Sequence, residues 1–174
     1  MKPFIGIKKI WYGDVITAAV TKTSLKAWLG TATEVENSHQ DTWAYTEDDP
    51  TYTDYINELN GSIYYRDVTQ KGAKTIAFTM GVFSFDDKVE LEGGEKIDTD
   101  AGWASSDTPG IVNKAIVGQT KTGNYIVFTN AAVIAKGNAV EKNIGLGVTA
   151  VAMENPSTGV KSDYLFDGEK VEAA

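Results

Sequence analysis

The sequence contains no cysteine and a single histidine, His39. Without thiols the chain forms neither a disulfide framework nor a thiolate metal site, and one histidine leaves little scope for nucleophilic or metal-dependent catalysis. The sequence motifs of phosphate loops, dinucleotide-binding folds and serine nucleophiles are missing as well. We therefore expect a protein that is not an enzyme, with no catalytic residues, no metal, no cofactor and no small-molecule substrate.

Basic residues and long apolar runs are also scarce. The 16 lysines and arginines are outnumbered by 24 acidic residues, which gives a net charge of −8 and argues against specific binding of nucleic acid. The longest uncharged stretch, residues 122–135, falls short of the roughly 20 residues that span a bilayer. Lys8, Lys9 and Asp14 interrupt the apolar N-terminus, unlike in a signal peptide. These features predict no membrane association and synthesis in a cytoplasm.

Acidic residues cluster at three places, each of which could in principle supply catalytic carboxylates or metal ligands. Residues 47–49 and 86–87 are adjacent carboxylates rather than the separated, differently buried pair that acid–base catalysis requires. Asp98, Asp100 and Gly102 resemble part of a calcium loop, but glycine occupies the third ligand position and the closing glutamate is missing. We interpret all three groups as surface charge.

Short runs of alternating apolar and polar residues separated by turn signals predict a mainly β fold. Turn residues lie at 71–72, 93–94, 109–110, 122–124, 137–138 and 155–156. Strands are predicted at residues 4–12, 31–37, 62–69, 73–85, 111–119, 124–129, 133–136, 145–153 and 161–166. Regular turns between short strands are typical of a β-sandwich or barrel, and we expect one domain covering residues 1–174.

The clearest strand pattern lies in residues 73–85. Its apolar face is formed by Ile76, Phe78, Met80 and Val82. The opposite face carries the mostly smaller side chains of Ala77, Thr79, Gly81 and Phe83, so we expect a thin cover there, from a neighbouring sheet or a second subunit.

Helix formers without glycine or proline occur in two short segments, residues 86–92 and 53–60. In the first segment Ser84 is placed to cap the N-terminus, and Gly93 follows the last helical residue. The expectation is one short helix packed on β-sheet.

Charge is unevenly distributed along the chain. Residues 1–30 contain five lysines and one aspartate, net +4, whereas residues 31–60 contain eight acidic and no basic residues, net −8. This pattern has two interpretations of equal weight. The acidic segment is a solvated loop, or basic and acidic surfaces at opposite ends of a subunit meet when copies stack head to tail.

The acidic segment also contains aromatic residues, which are unusual in a solvated loop. Residues 37–60 therefore suggest an arm that lies against a partner subunit, since tyrosine and tryptophan are favoured at interfaces. The candidate interface residues are Trp43, Tyr45, Tyr52, Tyr55 and Ile56. The alternative is that these side chains fold back onto the core of their own subunit.

Three stretches resemble the major tail tube proteins of bacteriophages and of injection systems. One runs from Lys74-Thr75-Ile76-Ala77-Phe78-Thr79-Met80 through Phe85-Asp86-Asp87 to Leu91-Glu92-Gly93-Gly94. Another is Thr46-Glu47-Asp48-Asp49-Pro50 before Tyr55, and the third is the late strand 146–154 followed by Asn155-Pro156. The likeness is one of pattern and covers about half of the chain.

This resemblance implies a small β-sandwich or barrel with one helix that forms hexameric rings, which stack into a hollow tube. It implies a homo-oligomer in the tail of the virion, made in the cytoplasm of the bacterial host, with other phage tail proteins as further partners. DNA passes through the lumen of such tubes without specific binding. The family has no catalytic signature, so no active-site residues carry over.

Two other classes remain open. A non-catalytic carbohydrate- or ligand-binding β-sandwich module would use Trp11, Trp28, Trp43 and Trp103 as stacking platforms. A small β-barrel enzyme or carrier would need convergent carboxylates in a pocket, for which the sequence offers no motif.

Overall fold

Antiparallel strands dominate the computed structural model, which describes residues 1–108 and 110–173. Its strands are β1 (Lys9–Gly13), β2 (Thr33–Glu34), β3 (Ala44–Glu47), β4 (Thr51–Ile56), β5 (Ile63–Gln70), β6 (Lys74–Met80), β7 (Glu95–Ile97), β8 (Gly102–Ala104), β9 (Val112–Gln119), β10 (Tyr125–Val140), β11 (Asn143–Ala152) and β12 (Asp163–Phe166). Its helices are α1 (Lys22–Leu29), α2 (Phe85–Glu92) and α3 (Gly168–Glu172). The expected mainly β, single-domain, sandwich-like fold is confirmed.

One large sheet has the strand order β2-β1-β9-β10-β11-β6-β3, and β12 pairs with β10 beside this path. The 16-residue strand β10 joins the two halves of this sheet. The first half of β10 pairs with β9 and β12, while the second half pairs mainly with β11. The β9–β10 register shifts between Phe128 and Ala131, and such an irregularity bends a sheet. The sheet therefore curls around the larger hydrophobic cluster.

Two hydrophobic clusters lie on opposite sides of the β1–β9–β10 region. The larger one, inside the curl, includes Phe78, Phe128, Leu146 and, from α2, Leu91. The smaller one forms where α1 and α3 cover the outer side, with Leu25 and Val171 as their buried residues. Both helices thus pack away from the edge formed by β6 and β3.

Tyrosine hydroxyls attach two of the helices to the sheet. Tyr12 on β1 donates to Asp87 Oδ1 of α2 at 2.5 Å, and Tyr125 on β10 donates to Glu172 Oε1 of α3 at 2.7 Å. Burial, reinforced by the hydrogen bond to a carboxylate, raises the pKa of each tyrosine well above its ordinary value of 10.0. Neutral tyrosine is therefore required for both attachments.

Several sequence expectations about the elements are confirmed. Helix α2 begins after Ser84, whose hydroxyl accepts from Asp87 N, and it ends at Gly93 with φ 89°. Strands lie within or close to the segments expected at 62–69, 111–119, 145–153 and 161–166. Ile76, Phe78 and Met80 are buried on one face of β6 as expected.

Other expectations are wrong. Residues 53–60 are not helical, because Tyr52, Tyr55 and Ile56 pair across β4–β5 instead. The described residues form three helices rather than one, and β6 ends at Met80, which leaves Val82 68% exposed. Residues 137–138 form no turn, since β10 runs through them unbroken. Of the expected turn at 109–110, residue 109 lies outside the described residues.

The true turn between β10 and β11 consists of Glu141 and Lys142, flanked by the paired residues Val140 and Asn143. Both turn residues have positive φ, 45° and 69°. Two-residue hairpin turns of this kind favour Asn-Gly, because side chains with a Cβ are strained at positive φ. The hairpin therefore forms against a local preference and is held by the long β10–β11 pairing.

Replacing Lys142 with glycine should stabilise the protein by about 0.5–1 kcal/mol, because it relieves this strain. Lys136→Gly is the matched control, since Lys136 lies within the extended part of β10 opposite Gly147. We expect the control to lose about 0.5–1 kcal/mol. Urea denaturation measures both changes, and a loss of stability in Lys142→Gly would contradict the strain argument.

Raising the pH above 10 should destabilise the protein through Tyr12 and Tyr125. The folded protein keeps both hydroxyls protonated where the unfolded chain ionises them, so stability is complete below pH 10 and falls as the pH rises. The slope is up to about 1.4 kcal/mol per pH unit for each tyrosine. Urea denaturation between pH 9 and 11.5 should show a shallower decline in the double variant Tyr12→Phe/Tyr125→Phe. Equal slopes in both proteins would refute the assignment.

Candidate assembly surface

A two-stranded ribbon, β4–β5, extends from the edge of the large sheet. Strand β3 leads into β4, and β5 leads into β6, so the ribbon continues the β3–β6 pair beyond a short break. A hydrogen bond from Asp48 N to Ala73 O, 2.9 Å long, keeps the two strands together across the break. With a rise of about 3.3 Å per residue, the eight residues of β5 extend roughly 25 Å. We call residues 51–70 the arm.

The base of the arm is tightly constructed. A Cβ atom at Gly72 would lie only 1.6 Å from the carbonyl oxygen of Asp48, so glycine is required for this close approach. Lys74 lies 2.7 Å from Asp163 and 3.5 Å from Glu47, which ties the base to the first residue of β12. The hydrogen bond to Asp163 raises the pKa of Lys74. These contacts hold the arm in one direction.

The first face of the arm follows from the strand register. Tyr52 pairs with Val68 and Asp54 with Arg66, and directly paired side chains share a face. The Arg66 guanidinium stacks 4.0 Å from the centre of the Tyr52 ring and binds both carboxylate oxygens of Asp54, at 2.5 and 2.8 Å. Hydrogen bonding lowers the pKa of Asp54 and raises that of Arg66. The charges on this face are therefore paired within the arm.

The second face carries the alternate residues. Thr53 pairs with Asp67, and Tyr55 pairs with Tyr65 at a ring separation of 5.7 Å. At the tip, Asn57 and Asn60 side chains accept from backbone amides, and Leu59 is 95% exposed. Both faces of the arm thus present apolar side chains to solvent.

The apolar exposure of the arm exceeds what a two-stranded ribbon normally tolerates in water. Every residue of β5 is exposed. Eight large apolar side chains of the arm are between 45% and 95% exposed: Tyr52, Tyr55, Ile56, Leu59, Ile63, Tyr64, Tyr65 and Val68. Isolated two-stranded hairpins are marginally stable, and large exposed apolar patches mark interaction sites. The arm has the character of a surface that a partner covers.

The five residues that the sequence suggests for an interface occupy two different environments. Trp43 and Tyr45 pack against the main core, and the Tyr45 ring lies 6.3 Å from that of Phe128. Tyr52, Tyr55 and Ile56 lie exposed on the arm. Trp43 and Tyr45 fold back onto the core of their own subunit, as the alternative interpretation predicts. The role of all five residues in an interface stays a prediction.

Sequence reasoning missed the contribution of β5 to this surface. Residues 62–69 were expected to form a strand, but Ile63, Tyr64 and Tyr65 were not assigned to the interface. Their signal is three consecutive large apolar residues where a strand buried on one face would alternate with polar ones.

Asp86, Asp100 and His39 each lie within ion-pair distance of another side chain. Asp100 of the calcium-like segment lies 2.5 Å from Lys96, which also contacts Asp86 at 2.6 Å. Hydrogen bonds to these two carboxylates raise the pKa of Lys96 to about 12. His39 lies 3.7 Å from Glu141 at the β10–β11 turn. Among the residues that the structure describes, no group of three or more potential metal ligands is found.

The four tryptophans are covered rather than displayed as platforms. Trp11 is 8% exposed, and Trp28 and Trp43 pack against the two cores. Trp103 donates to Gly93 O at 2.8 Å and lies under Lys88, whose Nζ is 4.1 Å from the ring centre. This arrangement gives the carbohydrate-binding alternative no support from tryptophan.

Comparison of the sequence with protein-family models and with curated proteins gives no match. In the described parts of the chain, no helix is long and apolar enough to cross a membrane. The features that bear on function are therefore the geometry of the arm and the resemblance noted in the sequence.

Substituting Gly72 with alanine should disrupt the base of the arm, because the new Cβ would collide with the backbone of Asp48. We expect a loss of about 2–3 kcal/mol in the free energy of unfolding and faster tryptic cleavage after Lys71. Gly110→Ala is the control, since a Cβ there meets nothing within 4 Å. Urea denaturation and timed proteolysis are the measurements. Similar behaviour of the two variants would show that the close approach is unimportant.

Proposed function

We propose that this protein is a structural, non-catalytic subunit that assembles with copies of itself, through the arm, into rings stacked as a hollow tube. The observation that carries the proposal is the extended arm with uncovered apolar side chains on both faces. The resemblance to phage tail tube proteins supplies the architecture, hexameric rings in a virion tail, and the further tail proteins as partners.

The area offered by the arm is suited to a stable contact. A buried aromatic side chain contributes about 150–250 Å², so eight large side chains that are each 45–95% exposed present on the order of 700 Å². Standard protein interfaces cover about 800 Å² on each partner. One arm therefore provides nearly one side of a specific interface.

The two-sided character of the arm favours an assembly larger than a dimer. Tyr52 and Val68 occupy one face, and Tyr55 and Tyr65 the other. A flat partner covers only one of these faces, so complete burial requires two surfaces. A ring stacked on another ring offers an arm more than one neighbour, whereas a simple dimer does not.

The charge of the chain is compatible with the lumen of a DNA-conducting tube. A net charge of −8 repels phosphate, which allows DNA to slide without specific binding. In this proposal the protein is synthesised in the cytoplasm of a bacterial host and is then incorporated into the virion tail.

Removing two arm tyrosines should abolish assembly without unfolding the subunit. We expect the wild-type protein to form rings or tubes of uniform width in negative-stain electron microscopy, and Tyr55→Ser/Tyr65→Ser to stay monomeric by light scattering at the same concentrations. Each lost aromatic anchor should weaken the contact by about 2 kcal/mol, roughly 30-fold. The urea midpoint of the body should change little, because both side chains are exposed and their mutual contact lies within the arm.

The matched control is Ile144→Ser/Leu165→Ser, which removes two exposed apolar side chains outside the arm. This variant should assemble like the wild type. A wild-type protein that is strictly monomeric over the whole concentration series would contradict self-assembly, and loss of assembly in the control alone would place the contact elsewhere.

A further inference from the structure

The outer side of strands β10, β11, β6 and β3 has an open central part without charged residues. Cross-strand pairing aligns its side chains in two rows. The first row is Ala44, Ala77, Thr149 and Ile134, and the second is Thr46, Thr75, Val151 and Ala132. We call these eight residues the uncharged face.

Alternation along the strands separates the uncharged face from the core. The intervening row, Tyr45, Ile76, Ala150 and Val133, points into the main cluster. Ala44, Thr46, Thr149 and Ile134 are exposed, and the other four residues are half-buried. Helices α1 and α3 cover the β1–β9–β10 region instead. This half of the sheet thus has one packed side and one open side.

Size complementarity relates the uncharged face to the arm. The face consists mainly of alanine, threonine and valine, whereas the second face of the arm carries the large rings of Tyr55 and Tyr65. Sheet layers pack well where large side chains of one meet small side chains of the other, about 10 Å apart. Four strands at about 4.8 Å spacing span roughly 15 Å, which is wide enough for a two-stranded arm.

Charge complementarity points to the same pairing. The acid presented by the Tyr55 face is Asp67, because Asp54 lies on the opposite face and is bound by Arg66. The row next to the uncharged face consists of Lys136, Gly147 and Thr79, which pair across β10, β11 and β6. Lys136 is exposed. One acid on the arm therefore matches one base beside the uncharged face.

The arm cannot reach the uncharged face of its own subunit. It continues the β3–β6 pair outward, and the Asp48–Ala73 hydrogen bond and the tight packing of Gly72 fix that direction. Folding back would break both contacts. An arm that covers the uncharged face must therefore come from another copy of the chain.

We propose that the Tyr55 and Tyr65 side of the arm packs onto the uncharged face of a neighbouring copy, with Asp67 against Lys136. This inference rests on the proposed function, since it names the receptor surface for the assembling arm. The contact is heterologous: arm and face are different surfaces, so each subunit gives one arm and receives another.

The absence of cysteine makes disulfide cross-linking a clean test. Thr53→Cys, on the Tyr55 side of the arm, and Thr149→Cys, on the uncharged face, are mixed in equal amounts at assembling concentration and oxidised. The pair should give at least about tenfold more cross-linked heterodimer than Thr53→Cys mixed with Thr23→Cys, which places an equally exposed thiol on α1.

A charge exchange provides an independent measurement. Asp67→Lys and Lys136→Asp should each raise the concentration needed for assembly about five- to tenfold, and the double variant should return to within about twofold of the wild type. Both positions are exposed, so the subunits should fold normally.

The outcomes separate the two proposals. Assembly of the wild type without the specific cross-link, or without rescue in the double variant, would overturn the receptor assignment and leave the tube proposal standing. A wild-type protein that does not assemble at any concentration, together with cysteine variants that do not cross-link, would overturn both.

Discussion

Strand β10 is the element on which the rest of the structure depends. Its first half pairs with β9 and β12 and its second half with β11, so the bend near Phe128 and Ala131 decides how the sheet curls. Both hydrophobic clusters include β10 residues. The curvature of the sheet determines the position of its β6–β3 edge. Strand β10 therefore also determines where the β3–β6 pair continues into the arm.

Body and arm differ in what stabilises them. The main strands of the large sheet, β1, β6, β9, β10 and β11, each have at least one side against a core, whereas all residues of β5 are exposed. The arm is held by backbone pairing, the Tyr55–Tyr65 contact and the Asp54–Arg66 pair, which, being exposed, contributes little. Regions with few buried contacts open most easily, so the arm is the part of the chain that gains most from a partner.

Sequence patterns predicted what local chemistry controls. Ser84 and Gly93 predicted the ends of α2 because capping acts over a few residues. Residues 53–60 were misjudged because the lack of glycine and proline was weighed above the strand preference of tyrosine, threonine and isoleucine. Helix α1 was overlooked, since its capping box uses Thr21 and Ser24 rather than a glutamate. The arm extends away from the body because of the order of the strands in the sheet. That order depends on contacts between residues far apart in the sequence, so local patterns do not predict it.

Repulsion between like-charged copies limits where an assembling contact can form. Each chain carries a net charge of −8, so copies approach most easily where their surfaces carry few acids. The acid-rich segment 31–60 contributes Glu47, Asp48 and Asp49 to the base of the arm, while the arm's own Asp54 is neutralised by Arg66. An interface between the Tyr55 side of the arm and the uncharged face keeps those acids at its margin. Added salt should therefore strengthen assembly up to about 0.1 M, where the Debye length is roughly 10 Å. Screening removes the net repulsion between copies and leaves apolar burial intact, while the only proposed attraction that it weakens is the single Asp67–Lys136 pair.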